Sequence, residues 1–479
     1  MVTDGEHIHV IGIAGSGAAG TAVLLKRAGA AVDGCDLDPA SPYADALAAA
    51  EIPVASGHDT AHLAGVDRIA ISPALRSVSD HAELAAAQAT GLAVSTWQEL
   101  LGELMARPGH IGLAVAGTHG KSTTTALLGH IMAEAGLDPT VEVGAVMPEW
   151  GGSVRMGEGA PFLVEADEFG DNFLAYHPAA AIVTTIEMDH PDFFANRDAV
   201  LDSFERFVRG MRPGGPFTAP LLVAAANDPG IDDLLADLED WQGRVLRYGA
   251  APFVATNVAL TKEGISFRLF DQDFQTSLAG EHNLANATAA LVLGRELGIS
   301  SSALADGLRT FAGAGRRMEL IADTGGVAVI DDYAHHPTEI RAALAAARQR
   351  VGDDRRLWAV FEPHMFSRTS LFLDEFATSF TDADEVAIVD IFASRDTPAA
   401  MRAIDAAGLA DAIERLGGVP AIATGDAESS TRYVAEHLRP GDAVLVMGAG
   451  KSYRVARGLA DALAAGVLDA PRAGLGEPS

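Results

Sequence analysis

The stretch AVAGTHGKSTTTALL, Ala114 to Leu128, decides how the rest of the chain is read. An apolar run leads into a glycine-punctuated loop, and an alanine- and leucine-containing helix follows from Lys121. That order is strand, loop, helix, with the loop at the strand's C-terminal edge. Lys121 followed by Ser122 supplies what triphosphate chemistry needs: an ammonium for the β- and γ-phosphates, a hydroxyl for Mg²⁺, and backbone N–H groups around the oxygens. The full GxxxxGK[ST] spacing is not met, because Val115 stands where the first glycine belongs, so this is a shortened phosphate loop. ATP is the expected ligand, with Gly117, Thr118, Gly120, Lys121, Ser122 and Thr123 around it.

The same rhythm recurs on either side. HIHVIGI reads as a buried strand, Ala18 to Ala28 as a helix ended by Gly29, and AAVDGCD as a second strand; the pattern restarts once more at GVAVIDDY. Strands alternating with helices predict an α/β protein with parallel sheets. At roughly 100–200 residues per domain, 479 residues correspond to about three domains. The junctions expected near Leu104 to Gly112 and Phe311 to Leu320 give modules at 1–106, 107–315 and 316–479. In the middle one, FVATNVALTKEGISFRLF turns at Glu263-Gly264 and reads as a hairpin, which makes a mixed architecture. The last residues, APRAGLGEPS, read as a frayed tail.

The charge balance is 34 basic against 65 acidic residues, or −31 with His neutral. So anionic a surface repels phosphate backbones and acidic lipid, which argues against nucleic acid and membrane partners. No apolar run approaches the ~20 residues that span a bilayer, and the acidic start MVTDGEHIHV lacks the basic, apolar form of a secretory signal. A cytoplasmic protein is expected, a monomer or weak homo-oligomer. Cys35 is the only cysteine, so an intramolecular disulfide is impossible and a Cys-based zinc site is excluded.

Four further motifs carry chemistry. GIAGSGAAG, Gly12 to Gly20, places Gly15, Gly17 and Gly20 at GxGxxG spacing between strand and helix, and Asp36 where a ribose-binding acid would sit; alone, it fits NAD as well as another nucleotide. VEADEFGDNF and TTIEMDHPDFF end apolar runs in acids, which makes Glu165 and His190 natural Mg²⁺ partners of Ser122. GEHNLANATAAL offers His282, Asn283 and Asn286 near a helix start, either to a purine edge or as helix caps. IDDYAHHPTEI and FEPHMFSRT gather Asp332, Tyr333, His335, His336 and Arg368 at strand ends, with Arg316 and Arg317 nearby as anion clamps. A zinc site there is awkward, since the adjacent His335 and His336 point apart. GAGKSY, Gly448 to Tyr453, imitates the phosphate loop but reads as a plain strand–helix turn.

GTHGKSTTT, EADE, IEMDH, EHNLANA, GRR, DDYAHHPTE and EPHMFSRT, in this order, resemble the Mur ligases of peptidoglycan synthesis, over nearly the whole chain. The resemblance implies an N-terminal Rossmann-like domain holding UDP, a central P-loop ATPase-like domain with a mixed sheet, and a C-terminal Rossmann-like domain. It settles the first glycine loop against NAD, and it implies ligation of L-alanine to the lactyl carboxylate of UDP-N-acetylmuramate through an acyl phosphate. By the same resemblance Lys121, His190, Arg317, His335 and Arg368 are catalytic, and His282, Asn283, Asn286, Arg316, Arg317 and Asp332 complete the ATP site. Gly12, Ala14, Gly15, Gly17, Asp36, Ser72, His119 and Tyr333 take the UDP-sugar, His335 and Arg368 the amino acid, and Ser122, Glu165 and His190 the Mg²⁺. The sequence departs from the family's usual residues at Phe169, Thr185, Met365 and Lys451-Ser452. The alternatives are a ligase adding a preformed L-Ala-D-Glu-diaminopimelate tripeptide and, from other classes, an NAD-dependent dehydrogenase or a non-catalytic nucleotide-binding regulator.

Overall fold

The structure is a computed structural model, described over residues 1–466 apart from 42, 73–74, 76–80 and 395. The expected C-terminal tail lies outside the described residues. Two compact units are present: 1–259, 265–278 and 282–315 form the first, and 260–264, 279–281 and 316 onward the second.

The first unit contains the N-terminal and central sheets. Strands β1 (His7–Ile11), β2 (Ala31–Asp36), β3 (Val54–Ser56), β4 (Arg68–Ile71) and β5 (Ala93–Thr96) lie in the order β3-β2-β1-β4-β5, parallel throughout. Buried on both faces, β1 is apolar at Ile8, Val10 and Ile11, as parallel sheets require. Gly34 in β2 has no room for a side chain, since a Cβ would stand 2.4 Å from the Val10 carbonyl and 2.7 Å from Ile13. Gly34→Ala is therefore expected to cost about 2 kcal/mol, seen as a lower urea midpoint.

The central sheet comprises β6 (Ile111–Ala116), β7 (Thr140–Met147), β8 (Gly152–Arg155), β9 (Pro161–Glu165), β10 (Ala180–Val183), β11 (Leu221–Ala225) and β12 (Arg244–Tyr248), ordered β12-β11-β10-β6-β9-β7-β8. Only β8 runs antiparallel to its neighbour, so the sheet is mixed as expected. The expected hairpin is present: β13 (Thr256–Thr261) and β14 (Gly264–Leu269) join β15 (Gln272–Thr276) in a small sheet. The N-terminal and central modules share one continuous apolar core in which Leu24, Leu104, Phe173 and Phe204 are members. Close approach is the reason: at Gly20 a Cβ would meet Val154 at 2.7 Å and Ser153 at 2.9 Å.

The second unit is a six-stranded sheet of β16 (Glu319–Thr324), β17 (Val327–Asp332), β18 (Leu357–Phe361), β19 (Glu385–Val389), β20 (Ala421–Gly425) and β21 (Ala443–Met447), ordered β16-β17-β21-β18-β19-β20. β16 is antiparallel to β17 and the rest are parallel. Apolar layers cover both faces. Among the described residues no helix is long and apolar enough to cross a membrane.

Candidate active site

The phosphate loop leaves β6 between its parallel neighbours β9 and β10, so the acids that end both strands converge on it. Gly117, at φ +127°, needs to be glycine: a Cβ would stand 2.1 Å from Thr184 Oγ1. Gly120, at φ +79°, caps the helix Lys121–Glu134, and its Cβ would lie 2.5 Å from Asn286 Oδ1. A left-handed residue there turns the first N–H groups of the helix toward the loop's concave side, where they and the helix dipole favour an anion.

Lys121 Nζ donates to the carbonyls of Gly117 (2.7 Å) and Thr118 (3.2 Å) and to Glu168 Oε2 (2.8 Å), with Asp167 at 3.8 Å. Burial alone would lower this ammonium, but Glu168 and Asp167 outweigh it and hold Lys121 above its ordinary value. Ser122 Oγ donates to Glu165 Oε1 at 2.9 Å, and Glu165 Oε2 accepts from Gly144 N–H at 2.6 Å. Burial, with the charges of Glu165 and Asp167, pushes Glu142 well above the usual carboxylate range. Asp167 and Glu168 are raised too, burial prevailing over the pull of Lys121.

Glu165, Asp167 and Glu168 surround the one lysine and buried Glu142 lies beside the first two, so the site is short of positive charge. Asp167, Glu168 and His190 each offer a donor atom within 4.8 Å of the others, and oxygen-rich surroundings of this kind suit Mg²⁺. His190, at φ +53°, places Nε2 3.9 Å from Glu168 and 3.8 Å from Asp189. Phe169, one of the departures from the family pattern, packs its ring 5.1 Å from the His190 ring.

A second set of bonds ties the loop to the segment that follows β10. Thr118 N–H donates to the Thr185 carbonyl (2.8 Å), His119 N–H to Thr185 Oγ1 (3.1 Å), and Glu187 N–H to Thr118 Oγ1 (2.9 Å). The Thr185 departure thus retains a hydrogen-bonding role. Thr185→Val leaves the His119 N–H without that acceptor and is expected to lower kcat/KM for ATP about tenfold, while Thr185→Asn holds activity near wild type; a coupled ADP assay reads both. His119 itself lies at this loop, with Nε2 3.3 Å from Glu187. Asn286 Nδ2 donates to Asn283 Oδ1 at 3.2 Å, so both asparagines stand behind Gly120, and His282 precedes them on the same helix, Glu281–Glu296. Thr123 is buried in the first turn after Lys121.

In the N-terminal sheet, Gly12 (φ +78°) donates its N–H to the Cys35 carbonyl. Asp36 accepts from Ala14 N–H and Asp38 N–H, each at 3.0 Å, so both of its oxygens brace the backbone of the glycine loop and the following turn. At Gly15 a Cβ would make only an ordinary contact, 3.6 Å from the Gly12 carbonyl oxygen, whereas Gly17 would press a Cβ into Trp97 at 2.3 Å. Gly17 is therefore the glycine that lets the helix Ser16–Arg27 settle on Trp97, while packing makes no such demand at Gly15. Ser72 follows β4 at the same sheet edge.

In the second unit, Arg316 Nε pairs with Asp331 (3.0 Å), and its Nη2 donates to the Gly448 carbonyl (2.7 Å) and Ser452 Oγ (2.8 Å). Its guanidinium thus ties β17 to the GAGKSY turn, which gives that look-alike a structural use. Burial, opposed by Arg316, raises Asp331 to about 6. The Arg317 guanidinium lies 4.9 Å over the Tyr333 ring and acts on buried Asp332, which accepts from Met318 N–H and Ala334 N–H at 2.8 Å. His336 caps the helix Pro337–Val351, while His335 Nδ1 lies 3.0 Å from the Tyr333 carbonyl and 3.3 Å from Glu339. The two adjacent histidines do diverge. Arg368, 1% exposed, sets Nη1 3.2 Å from His364 Nδ1, and the His364 ring stands 6.1 Å from that of His335. Met365 is buried at φ +74° ahead of the Arg368 helix.

Residues 7–108 match the model described as the Mur ligase family catalytic domain, 115–294 the Mur ligase middle domain, and 316–450 the Mur ligase glutamate ligase domain. The chain is 39% identical over 472 residues to a UDP-N-acetylmuramate–L-alanine ligase of Symbiobacterium thermophilum, covering 95% of this chain and 94% of that one. It belongs to the Mur ligase family. The Mur ligase fold of three α/β domains agrees with this, at a TM-score of 0.79 and 23% identity to the UDP-N-acetylmuramate–alanine ligase of Thermotoga maritima, over 96% of this chain and 99% of that one. A murein peptide ligase from Psychrobacter arcticus matches at TM-score 0.69 and 26% identity, over 96% and 99%. As a Mur ligase the chain is an ATP-dependent, ADP-forming amide ligase.

Sequence reasoning passed over Glu142, Asp167, Glu168 and Asp189. Asp167 and Glu168 stand inside the EADE motif beside Glu165, and the local signal was the density of acids past a strand end. Glu142 lies within β7, and only sheet order brings it beside β9.

Proposed function

We propose that this Mur ligase joins L-alanine to the lactyl carboxylate of UDP-N-acetylmuramate, in the cytoplasm, at the expense of ATP. The observation that carries the reading is full-length similarity to ligases of that name, at 39, 37 and 38% identity over 92% or more of either chain. Three modules divide the work in this proposal: 1–106 takes the UDP-sugar, 107–315 the ATP, and 316–479 the amino acid.

A carboxylate is a poor acyl donor, so it is first activated. A carboxylate oxygen forms a bond to the γ-phosphorus, the β–γ bridge bond breaks, and ADP leaves. The alanine amine then adds to the acyl carbon, a proton departs to solvent, and phosphate is expelled as the amide forms. Lys121 and the helix N-terminus behind Gly120 hold the phosphates and oppose the charge that builds on the transferred group. Ser122, Glu165, Asp167, Glu168 and His190 fit Mg²⁺, whose contribution when bound is to neutralise phosphate charge. Gly12, Ala14 and Gly15 face the UDP, with Asp36 holding their loop in shape. Arg316 and Arg317 are offered to an anion, Arg316 from its place beside Asp331 and Ser452 and Arg317 from over Tyr333. Arg368 and His335 receive the amino acid.

Phosphate release with UDP-N-acetylmuramate and ATP tests this reading, comparing L-alanine, glycine, L-serine and the L-Ala-D-Glu-diaminopimelate tripeptide. L-alanine is expected to give the highest kcat/KM. A clear preference for the tripeptide would replace the reading with its recycling relative.

A further inference from the structure

Away from the phosphate loop, one face of the N-terminal sheet collects four histidines, the only cysteine and a fully buried glutamate. His9 lies on β1 and Cys35 on β2, His58 follows β3, His62 lies in the short turn Thr60–Leu63, and Glu83 is in the first turn of the helix Ala82–Thr90, just after His81. Glu83 is 0% exposed and His9 2%. Cys35 Sγ stands 3.3 Å from His9 Nε2, 3.2 Å from His58 Nδ1, and 3.4 and 3.3 Å from the two Glu83 oxygens. The thiol donates toward Glu83, and the ring nitrogens of His9 and His58 stand against the same sulfur as donors or acceptors according to their tautomers. His62 Nδ1 lies 2.7 Å from Glu83 Oε1 and His9 Nε2 3.9 Å from it, and His81 Nε2 is buried with no hydrogen-bond partner among the described residues.

Imidazole, thiol and carboxylate atoms from four segments thus converge on one point, as ligands do around a cation. We propose that His9, Cys35, His62 and Glu83 form a tetrahedral site for one divalent transition-metal ion, zinc by its donor chemistry, with His58 and His81 at the rim. One donor atom from each of the four lies within 4.8 Å of the others. An ion about 2.0–2.3 Å from each ligand sets tetrahedral donors about 3.3–3.8 Å apart. The separations from His9 to Cys35 and from Cys35 to Glu83 have that size, and the short His62–Glu83 contact opens when an ion enters. Thiolate plus carboxylate match a dication in charge, and mixed imidazole and thiolate donors select zinc over magnesium or calcium.

The second layer is present as well. His9 Nδ1 lies 2.6 Å from Asp33 Oδ1, the carboxylate–histidine pairing that leaves the far ring nitrogen to a metal. His58 and His62, about one-fifth exposed, give the ion a way in. Excluding zinc on the ground of a single cysteine holds only for sites built from several thiolates; here the fold supplies two imidazoles and a carboxylate from three other segments. The site pins β1, β2, the 60–63 turn and the helix Ala82–Thr90 together, directly behind Asp36. It has no part in the phosphate chemistry.

The test is titration of the full, chelator-treated chain with Co²⁺ in excess Mg²⁺, which occupies oxygen-rich sites. One equivalent is expected to bind with a thiolate-to-cobalt charge-transfer band and intense tetrahedral visible bands, and zinc should abolish both. With one cysteine in the chain, that band can come only from Cys35. Cys35→Ser should lose it, Asp33→Asn should weaken binding about tenfold, and zinc at a hundred times its Kd should raise the wild-type Tm by about 5 °C or more. Wild-type protein that shows no charge-transfer band and no zinc-dependent Tm overturns the proposal without recourse to any variant. A Cys35→Ser chain that keeps the bands overturns it equally.

Discussion

Lys121→Met is expected to lower kcat by a thousandfold or more while leaving the Kd for UDP-N-acetylmuramate within about twofold. The only strong donor inside the phosphate loop is its ammonium, held above its ordinary value by Glu168 and Asp167 after burial has pulled the other way. Removing it takes a full positive charge from a buried place where three neighbouring carboxylates remain, so phosphate is then repelled rather than bound. Preorganised charge at a developing phosphoryl transition state is worth roughly 3–4 kcal/mol, or two to three powers of ten, and the unmasked acids add to the loss. Acyl phosphate trapped with hydroxylamine reads the chemical step, and calorimetry reads the sugar. Equal losses in both would mean that Lys121 supports the fold of the first unit rather than the reaction.

Arg368→Met is expected to raise KM for L-alanine by about 10–100-fold, with KM for ATP moving less than threefold. The side chain is buried, and a guanidinium held in place by its surroundings keeps its fork aimed. A hydrogen-bonded charged contact is worth about 1.5–3 kcal/mol, which sets the expected range. Because truncating a buried arginine also weakens packing, Arg368→Lys serves as the companion: it keeps charge without the fork, and should recover part of the stability but little of the alanine affinity. If KM for ATP rises instead, Arg368 belongs to the phosphate site.

Much of this was legible in the chain. The strand–loop–helix order around Lys121, the restarts at His7 and Val327, and the turn at Glu263-Gly264 follow from local periodicity and glycine placement. Each is a short-range signal, and each was met in the structure. The grouping of polar residues at strand ends also followed, since parallel strands deliver their following loops to one edge.

Other features depended on contacts distant in sequence. The GxGxxG spacing cannot tell Gly15, where a Cβ would meet only an ordinary contact, from Gly17, which is closed off by Trp97 some eighty residues away. Asp36 has the position of a ribose acid, yet its oxygens turn to the backbone N–H groups of Ala14 and Asp38. GRR names two arginines alike, and only tertiary packing sets the Arg316 guanidinium on the Gly448 turn and that of Arg317 over Tyr333.

By itself the sequence determined the α/β class, the phosphate loop and the family, because those rest on periodicity and on residues adjacent in the chain. Tertiary structure alone decided that Glu142 joins Glu165 and that His9, Cys35, His62 and Glu83 meet on one face. Such sites are made by strand order and helix crossover, which bring together side chains whose separation along the chain carries no signal of their meeting.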